Sequence, residues 1–403
     1  MKKNWTETLI ALLIVGLAFV VVIVGVFIYL NKSTPAIHKS VTDITSVTRS
    51  APSPKWAGAA EKGRQIVRAN VIEQNLPGVS VAIGVGGDIV WAEGFGWADL
   101  ATRDAVTPET RFRIGHASTA LTSTAVGLLW EKERLHLDHD IQEYVPSFPK
   151  KPWPVTLRQL MGHTSGIRHY ADTTWGDKPT ARCERASDGL PAFANDALLF
   201  QPETKYQYST YGWVLVSAAI EGVSGEPFFQ FMRTQVFAAL GMTDTIPDFP
   251  TDSVPNRATS YFVNNFGREV TTRVDYSCFA GAGAFLSTPS DLVRFGMAVN
   301  GGTLLKPATV ALLQTRQQLV SGAETDYGLG WMLETVELAG QRTRMASHAS
   351  RTMEGASTSF LTFPERGLVV VVSSNISFVN MRSIALAIAQ AFVDGGRGEE
   401  LSR

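Results

Sequence analysis

Apolar positions in residues 117–130 recur at Leu121, Ala125, Leu128 and Leu129, close to the i, i+4, i+7, i+8 spacing of one helical face, and this predicts a buried helix. Gly115 allows a sharp backbone turn just ahead of it, and Ser118 or Thr119 stands where a side-chain cap is expected. A helix start of this kind gathers free N–H donors and the positive end of the dipole. The side chain of His116 is therefore expected where an anionic or oxyanionic group is stabilised. The plainer alternative is an amphipathic core helix with a polar cap.

The same patterning places a helix over 56–74 and two β-rich runs, 79–85 and 88–94, joined by Gly86-Gly87 as a hairpin. A short helix over 155–161, capped by Thr156, leads into a tight Gly-His-Thr-Ser-Gly loop at 162–166. Residues 168–202 are polar with little periodicity, which suits an insertion covering a site. Helices are expected over 206–223 and 227–240, the second ending at Gly241, and another from the Thr288 cap and Pro289 to about Asn300. The tail reads as strands at 328–337, 343–347, 358–363 and 367–374 and a closing helix at 378–393. This order predicts an α+β fold: an antiparallel sheet flanked by the terminal helices, plus a helical lobe, with the default site in the cleft between them.

Residues 9–30 form an apolar run that would span about 33 Å as a helix, enough for a bilayer core. Lys2 and Lys3 precede it and no small-x-small cleavage site follows, so one N-terminal transmembrane helix is expected, a cleaved signal peptide being the alternative. The expected organisation is an anchor at 1–31, a Ser/Thr/Pro-rich linker at 32–54 and one domain at 55–395, with a sheet lobe (55–115 and 270–395) and a helical lobe (116–269). Either reading of the leader puts the folded part on the extracytoplasmic, periplasmic side of a single-pass membrane protein. Over 403 residues, 36 Lys and Arg balance 37 Asp and Glu without a long basic block, which argues against nucleic acid as a partner. Two cysteines, Cys183 and Cys278, exclude a disulfide framework and a cysteine-based zinc site but could form one bridge in an oxidising compartment.

Three short stretches carry the candidate chemistry: Gly115 to Thr119, Tyr208-Ser209-Thr210 and Ser347 to Arg351, each read as a loop. In that order they resemble the three motifs of the serine β-lactamase and penicillin-binding-protein family, in the branch of class C β-lactamases, related esterases and the mitochondrial β-lactamase-like protein. Phe-Arg-Ile-Gly at 112–115, His-Thr-Ser-Gly at 163–166, Ala-Gly-Ala-Gly-Ala-Phe-Leu-Ser-Thr-Pro-Ser-Asp-Leu at 280–292, Tyr-Gly-Leu-Gly-Trp at 327–331 and the strand at 367–375 support the likeness, which covers residues 79–375. It implies a β-lactamase/transpeptidase-like fold and a serine hydrolase of the lactamase, carboxypeptidase or esterase type, with no cofactor.

The resemblance also marks departures. The family's first motif is Ser-x-x-Lys, an acylated serine with its lysine partner one turn on; here it reads His116-x-x-Thr119, and neither residue can take over that role. Ser118, two positions along, points away from such a cleft and is better read as a cap. The second motif keeps Tyr208 as a candidate proton shuttle, with Thr210 in place of an asparagine. The third becomes His348-Ala349-Ser350, followed by Arg351 with a fork suited to a carboxylate, so Thr210, His348, Ser350 and Arg351 are the candidate binding residues beside the candidate catalytic His116, Thr119 and Tyr208. His163 is expected as a buried structural histidine, and two histidines without a carboxylate at ligand spacing do not argue for a metal. These substitutions point to a small-molecule, peptide, cell-wall or acyl ligand held in an inherited cleft. The alternatives are an amide or ester hydrolase working through His116 and Tyr208, and an assembly protein.

Overall fold

The computed structural model describes residues 34–170, 182–249, 253–264, 267–272, 274–352 and 355–400, together with Leu13, Ile14, Gly16 and Val22. The strand β1 (Ser46–Thr48) and the helix α1 (Pro54–Glu73) open the body, followed by β2 (Gly78–Val85) and β3 (Asp88–Asp99). The helical lobe contributes α2 (Ser118–Glu131), α3 (Leu157–Met161) and α4 (Thr210–Ser224), and α5 (Pro289–Gly301) leads back to the sheet. The tail supplies β4 (Met332–Leu338), β5 (Gln341–Thr352), β6 (Ala356–Phe363), β7 (Leu368–Ser374) and α6 (Met381–Glu400). Seven strands run in the order β1-β3-β2-β7-β6-β5-β4, every neighbouring pair antiparallel.

The central strands β2 and β7 pair from Leu368 with Val85 to Ser374 with Val79. Their apolar runs are continuous because both faces of the sheet are covered, so successive side chains enter different cores. Val79, Val81, Ile83, Leu368, Val370 and Val372 face the terminal helices, whereas Ala82, Val369 and Val371 face the helical lobe. On the first side Phe392 of α6 stacks on Trp56 of α1 and on Trp91 of β3, with centroids 5.7 and 6.0 Å apart. The expected antiparallel sheet flanked by terminal helices with a helical lobe on its other face is what the chain adopts.

Several local expectations differ. The stretch 227–240 is not one helix: an α-turn at Phe228–Phe231 passes into a π-turn at Met232–Phe237 and a last 3-10 turn before Gly241. Residues 328–331 precede β4 instead of opening it, because Gly330, at φ +97°, brings the backbone against Ser123 and Trp213. Residues 34–48, grouped with the linker by composition, are packed on the body: Ile44 lies in the core beneath α1 and β1 extends the sheet. Within 168–202 the described part is built into the helical lobe, where Leu190 and Phe193 are buried, and residues 171–181 of the expected cover lie outside the described residues. The expected membrane span at 9–30 also lies almost wholly outside them; Leu13, Ile14 and Val22 are helical and exposed. Among the described residues no helix is long and apolar enough to cross a membrane.

Candidate active-site cleft

The head of α2 is fixed from behind. Phe112 and Arg113 pair with Ser287 and Leu286, and the buried guanidinium of Arg113 is held by Asp248, which also takes Arg257 at 2.7 Å. Gly115 then turns the chain at φ +48°, and a 3-10 turn over Gly115–Ala117 carries His116 into the helix. That turn changes the expected capping. Ser118 and Thr119 are already helical, the Ser118 hydroxyl is buried without a partner, and the Thr119 hydroxyl donates to the His116 carbonyl at 2.9 Å. Neither residue caps α2, because the preceding turn takes the place a capping side chain would fill.

The second stretch ends as a loop whose last residue starts α4. Ser209 caps it, accepting the Gly212 N–H at 3.0 Å. Two imidazoles take the donors ahead of it: His163 Nδ1 accepts the Ser209 N–H and His169 Nδ1 accepts the Thr210 N–H, both at 3.1 Å. An Nδ1 that accepts leaves the proton of a neutral imidazole on Nε2. His163 Nε2 and the Tyr208 hydroxyl are both buried without a hydrogen-bond partner, their rings 4.3 Å apart. The Tyr208 ring keeps some exposure although its oxygen is enclosed.

The third stretch is not a loop. His348 and Ser350 sit in the middle of β5, in register with Phe360 and Thr358 of β6, and share the strand face of Ala346, which packs toward the helical lobe. Ser350 accepts the backbone N–H of His116 on its hydroxyl at 3.3 Å. The His116 Nε2 lies 3.4 Å from the Thr210 hydroxyl, and its ring meets Tyr208 edge-on at 5.4 Å. The backbone of Arg351 pairs with Ser357, while its side chain lies outside the described residues.

Tyr327 joins these parts, and its role was not visible in the sequence beyond its place in the Tyr-Gly-Leu-Gly-Trp stretch. Its hydroxyl lies 3.0 Å from His348 Nε2 and within hydrogen-bonding reach of Thr119. His348 Nδ1 faces the Ala349 carbonyl at 3.3 Å, so it carries the proton and the Tyr327 hydroxyl donates to Nε2. His169 was likewise not foreseen, since it begins a segment without periodicity.

Burial keeps this cluster uncharged. It pushes His348 down to about 3, with the neighbouring charge of His116 adding to the effect, and holds His163 well below the ordinary histidine range. Burial likewise raises the phenols of Tyr208 and Tyr327 far above their usual range. At neutral pH these four groups therefore act through dipoles and hydrogen bonds, not through charge. Among the described residues no group of three or more His, Cys, Asp or Glu could hold a metal ion. A disulfide, Cys183–Cys278, ties down a neighbouring turn: Cys278 lies in the turn Ser277–Ala282, and the Gly281 carbonyl of that turn accepts the Thr122 hydroxyl of α2 at 3.0 Å.

The family described as Beta-lactamase matches residues 64–394. The chain belongs to that family. Beta-lactamase relatives include the mitochondrial serine beta-lactamase-like protein LACTB of Mus musculus, 29% identical over 84% of this chain and 81% of its own length. Penicillin-binding protein 4* of Bacillus subtilis (strain 168) is 27% identical over 72% of this chain and 66% of its own. Among solved structures, the octameric penicillin-binding protein homologue from Pyrococcus abyssi superposes with a TM-score of 0.71 over 83% of this chain and 77% of its own, at 23% identity. These matches establish a serine-hydrolase family of β-lactamase-related and penicillin-binding-like proteins and its fold.

Proposed function

We propose that this β-lactamase-related chain is a membrane-tethered, extracytoplasmic binding protein that holds a peptide, cell-wall or acyl ligand in its cleft without an acyl-serine step. One observation carries the reading: the N–H of residue 116, placed to stabilise an oxyanion, is taken by the Ser350 hydroxyl, beside His348 and Tyr208, which burial keeps neutral. A hydrolase needs a nucleophile and a base that change charge during the reaction. Thr119, where the family's lysine is expected, is a hydrogen-bonded alcohol, and Ser118, the nearest serine along the chain, is wholly buried. A peptide ligand fits what remains. The half-buried rings of Tyr208 and His116, 5.4 Å apart, offer a peptide an aromatic wall, and the Bacillus relative bears the name of a penicillin-binding protein. The disulfide and the apolar run at 9–30 support a site outside the cytoplasm.

The test uses the full chain with a chromogenic ester, a chromogenic cephalosporin and a fluorescent penicillin. No turnover above the His116→Ala background and no stable labelling are expected, whereas acetylated D-alanyl-D-alanine peptides bind reversibly. Turnover abolished by His116→Ala would establish the hydrolase instead, and stable penicillin labelling would mean that another nucleophile serves the cleft. The double variant His116→Ser, Thr119→Lys is expected to gain acylation.

A further inference from the structure

The folded body begins almost as soon as the apolar N-terminal run ends. Only Asn31, Lys32 and Ser33 separate Leu30 from Thr34. From there the chain is fastened. The side-chain amide of Asn75 donates to the Thr34 and Pro35 carbonyls at 3.3 and 3.2 Å, and its Oδ1 accepts the Ile37 N–H at 3.0 Å. His38 is buried with its ring toward the Pro77 carbonyl, and Ile44 enters the core. Four Cα steps fully extended reach about 14 Å. The polar layer on one side of a bilayer is roughly 5–8 Å deep. A chain spanning the membrane at 9–30 would thus hold the surface around Asn75 within roughly 10 Å of the headgroups.

That surface exposes apolar side chains. Arg268 donates to the Asn75 carbonyl at 3.3 Å, and its cross-strand partner Val263 is 47% exposed. The Asn380 N–H bonds the side chain of Gln74, next to Asn75, at 2.9 Å, and Phe378 two residues earlier is 64% exposed. Phe378 is held at φ +57°, where a bulky residue is rare and strained, so the turn presents an aromatic ring outward at some cost. Val41, three residues beyond His38, is also 47% exposed.

We propose that the face bearing Phe378, Val263 and Val41 rests on the lipid bilayer, with these side chains in the interfacial layer. This inference relies on the membrane-tether part of the reading above, and adds to it a fixed orientation of the body. The short connection brings the face to the membrane, and burial of exposed apolar area favours contact. The two native cysteines are bonded to each other, so a thiol introduced by Phe378→Cys or Val263→Cys can take a nitroxide label, with Val320→Cys as the control on a segment bonded to Glu203.

The full chain is reconstituted in vesicles of phosphatidylcholine and phosphatidylglycerol, its flotation is checked, and collision of each label with a water-soluble nickel chelate is measured. Labels at 378 and 263 are expected to be shielded at least threefold relative to 320, and to lose that shielding in detergent. A chain that floats while 378 and 263 collide as freely as 320 overturns the resting face and leaves the tether standing. A chain that does not float overturns both. Shielding that survives in detergent and grows with protein concentration marks a second copy as the occupant and also overturns the proposal.

Discussion

The hydroxyl of Ser350 lies 3.3 Å from the amide nitrogen of His116 and accepts its hydrogen, so the donor at the head of α2 is satisfied within the chain. A ligand carbonyl that uses this donor must first displace the hydroxyl. Ser350→Gly removes the competitor, which is worth roughly 1 kcal/mol for a neutral hydrogen bond, or about fivefold in affinity. Titration calorimetry with an acetylated dipeptide amide is expected to show that gain, with Ser350→Thr close to the parent. An unchanged Kd in the glycine variant would mean that ligands never meet this amide.

The Tyr208 hydroxyl is buried and has no partner, a state that destabilises the unliganded protein. Tyr208→Phe is expected to leave the thermal midpoint unchanged or raise it, by the equivalent of up to about 1 kcal/mol. A clear loss of stability would show that the hydroxyl is bonded in the free protein.

Stability should fall in acid for a reason located at His348 and His163. Both are held below the ordinary histidine range when folded, His348 to about 3, so the unfolded chain binds more protons than the folded one once the pH drops below that range. Their contribution is fully present above about pH 6.5 and is lost as the pH falls toward the folded values, at up to about 1.4 kcal/mol per pH unit for each histidine. Urea unfolding from pH 7.5 to 4.5 should show this slope, reduced by about half in His348→Gln. A slope unchanged in that variant would place the acid sensitivity elsewhere.

The Cys183–Cys278 bond closes a loop of sequence separation 95, across which cross-linking restricts the unfolded chain strongly. The double change Cys183→Ser, Cys278→Ser should cost about 2–5 kcal/mol, read as a lower denaturation midpoint. It should also weaken ligand binding, because Cys278 sits in the turn that bonds α2 through Thr122.

The layered fold was readable because its central elements are strongly patterned: the apolar run of β7 and the spacing of Leu121, Ala125 and Leu129 each admit few other structures. Gly115 was readable because a sharp turn before a helix needs it. The strand β5 was not, since its buried cleft-facing residues His348 and Ser350 are polar instead of apolar, so the stretch has the composition of a loop. The caps of α2 were misplaced because Ser118 and Thr119 follow a 3-10 turn that no periodicity announces. Residues 34–48 looked like a spacer because their attachment relies on backbone bonds to Asn75 and a few side chains such as Ile44. Tyr327 and His348 lie 21 positions apart and meet only through the crossing of chain segments, which spacing cannot show.

The twin imidazoles at the head of α4 bear on ligand selectivity. Such a helix end can cradle phosphate or carboxylate, yet here two of its amides already point at ring nitrogens. A negatively charged guest would find those donors engaged and no fixed positive charge on His163 or His348 to greet it. Around the head of α4 the groove should therefore discriminate by contour and by uncharged polar complementarity.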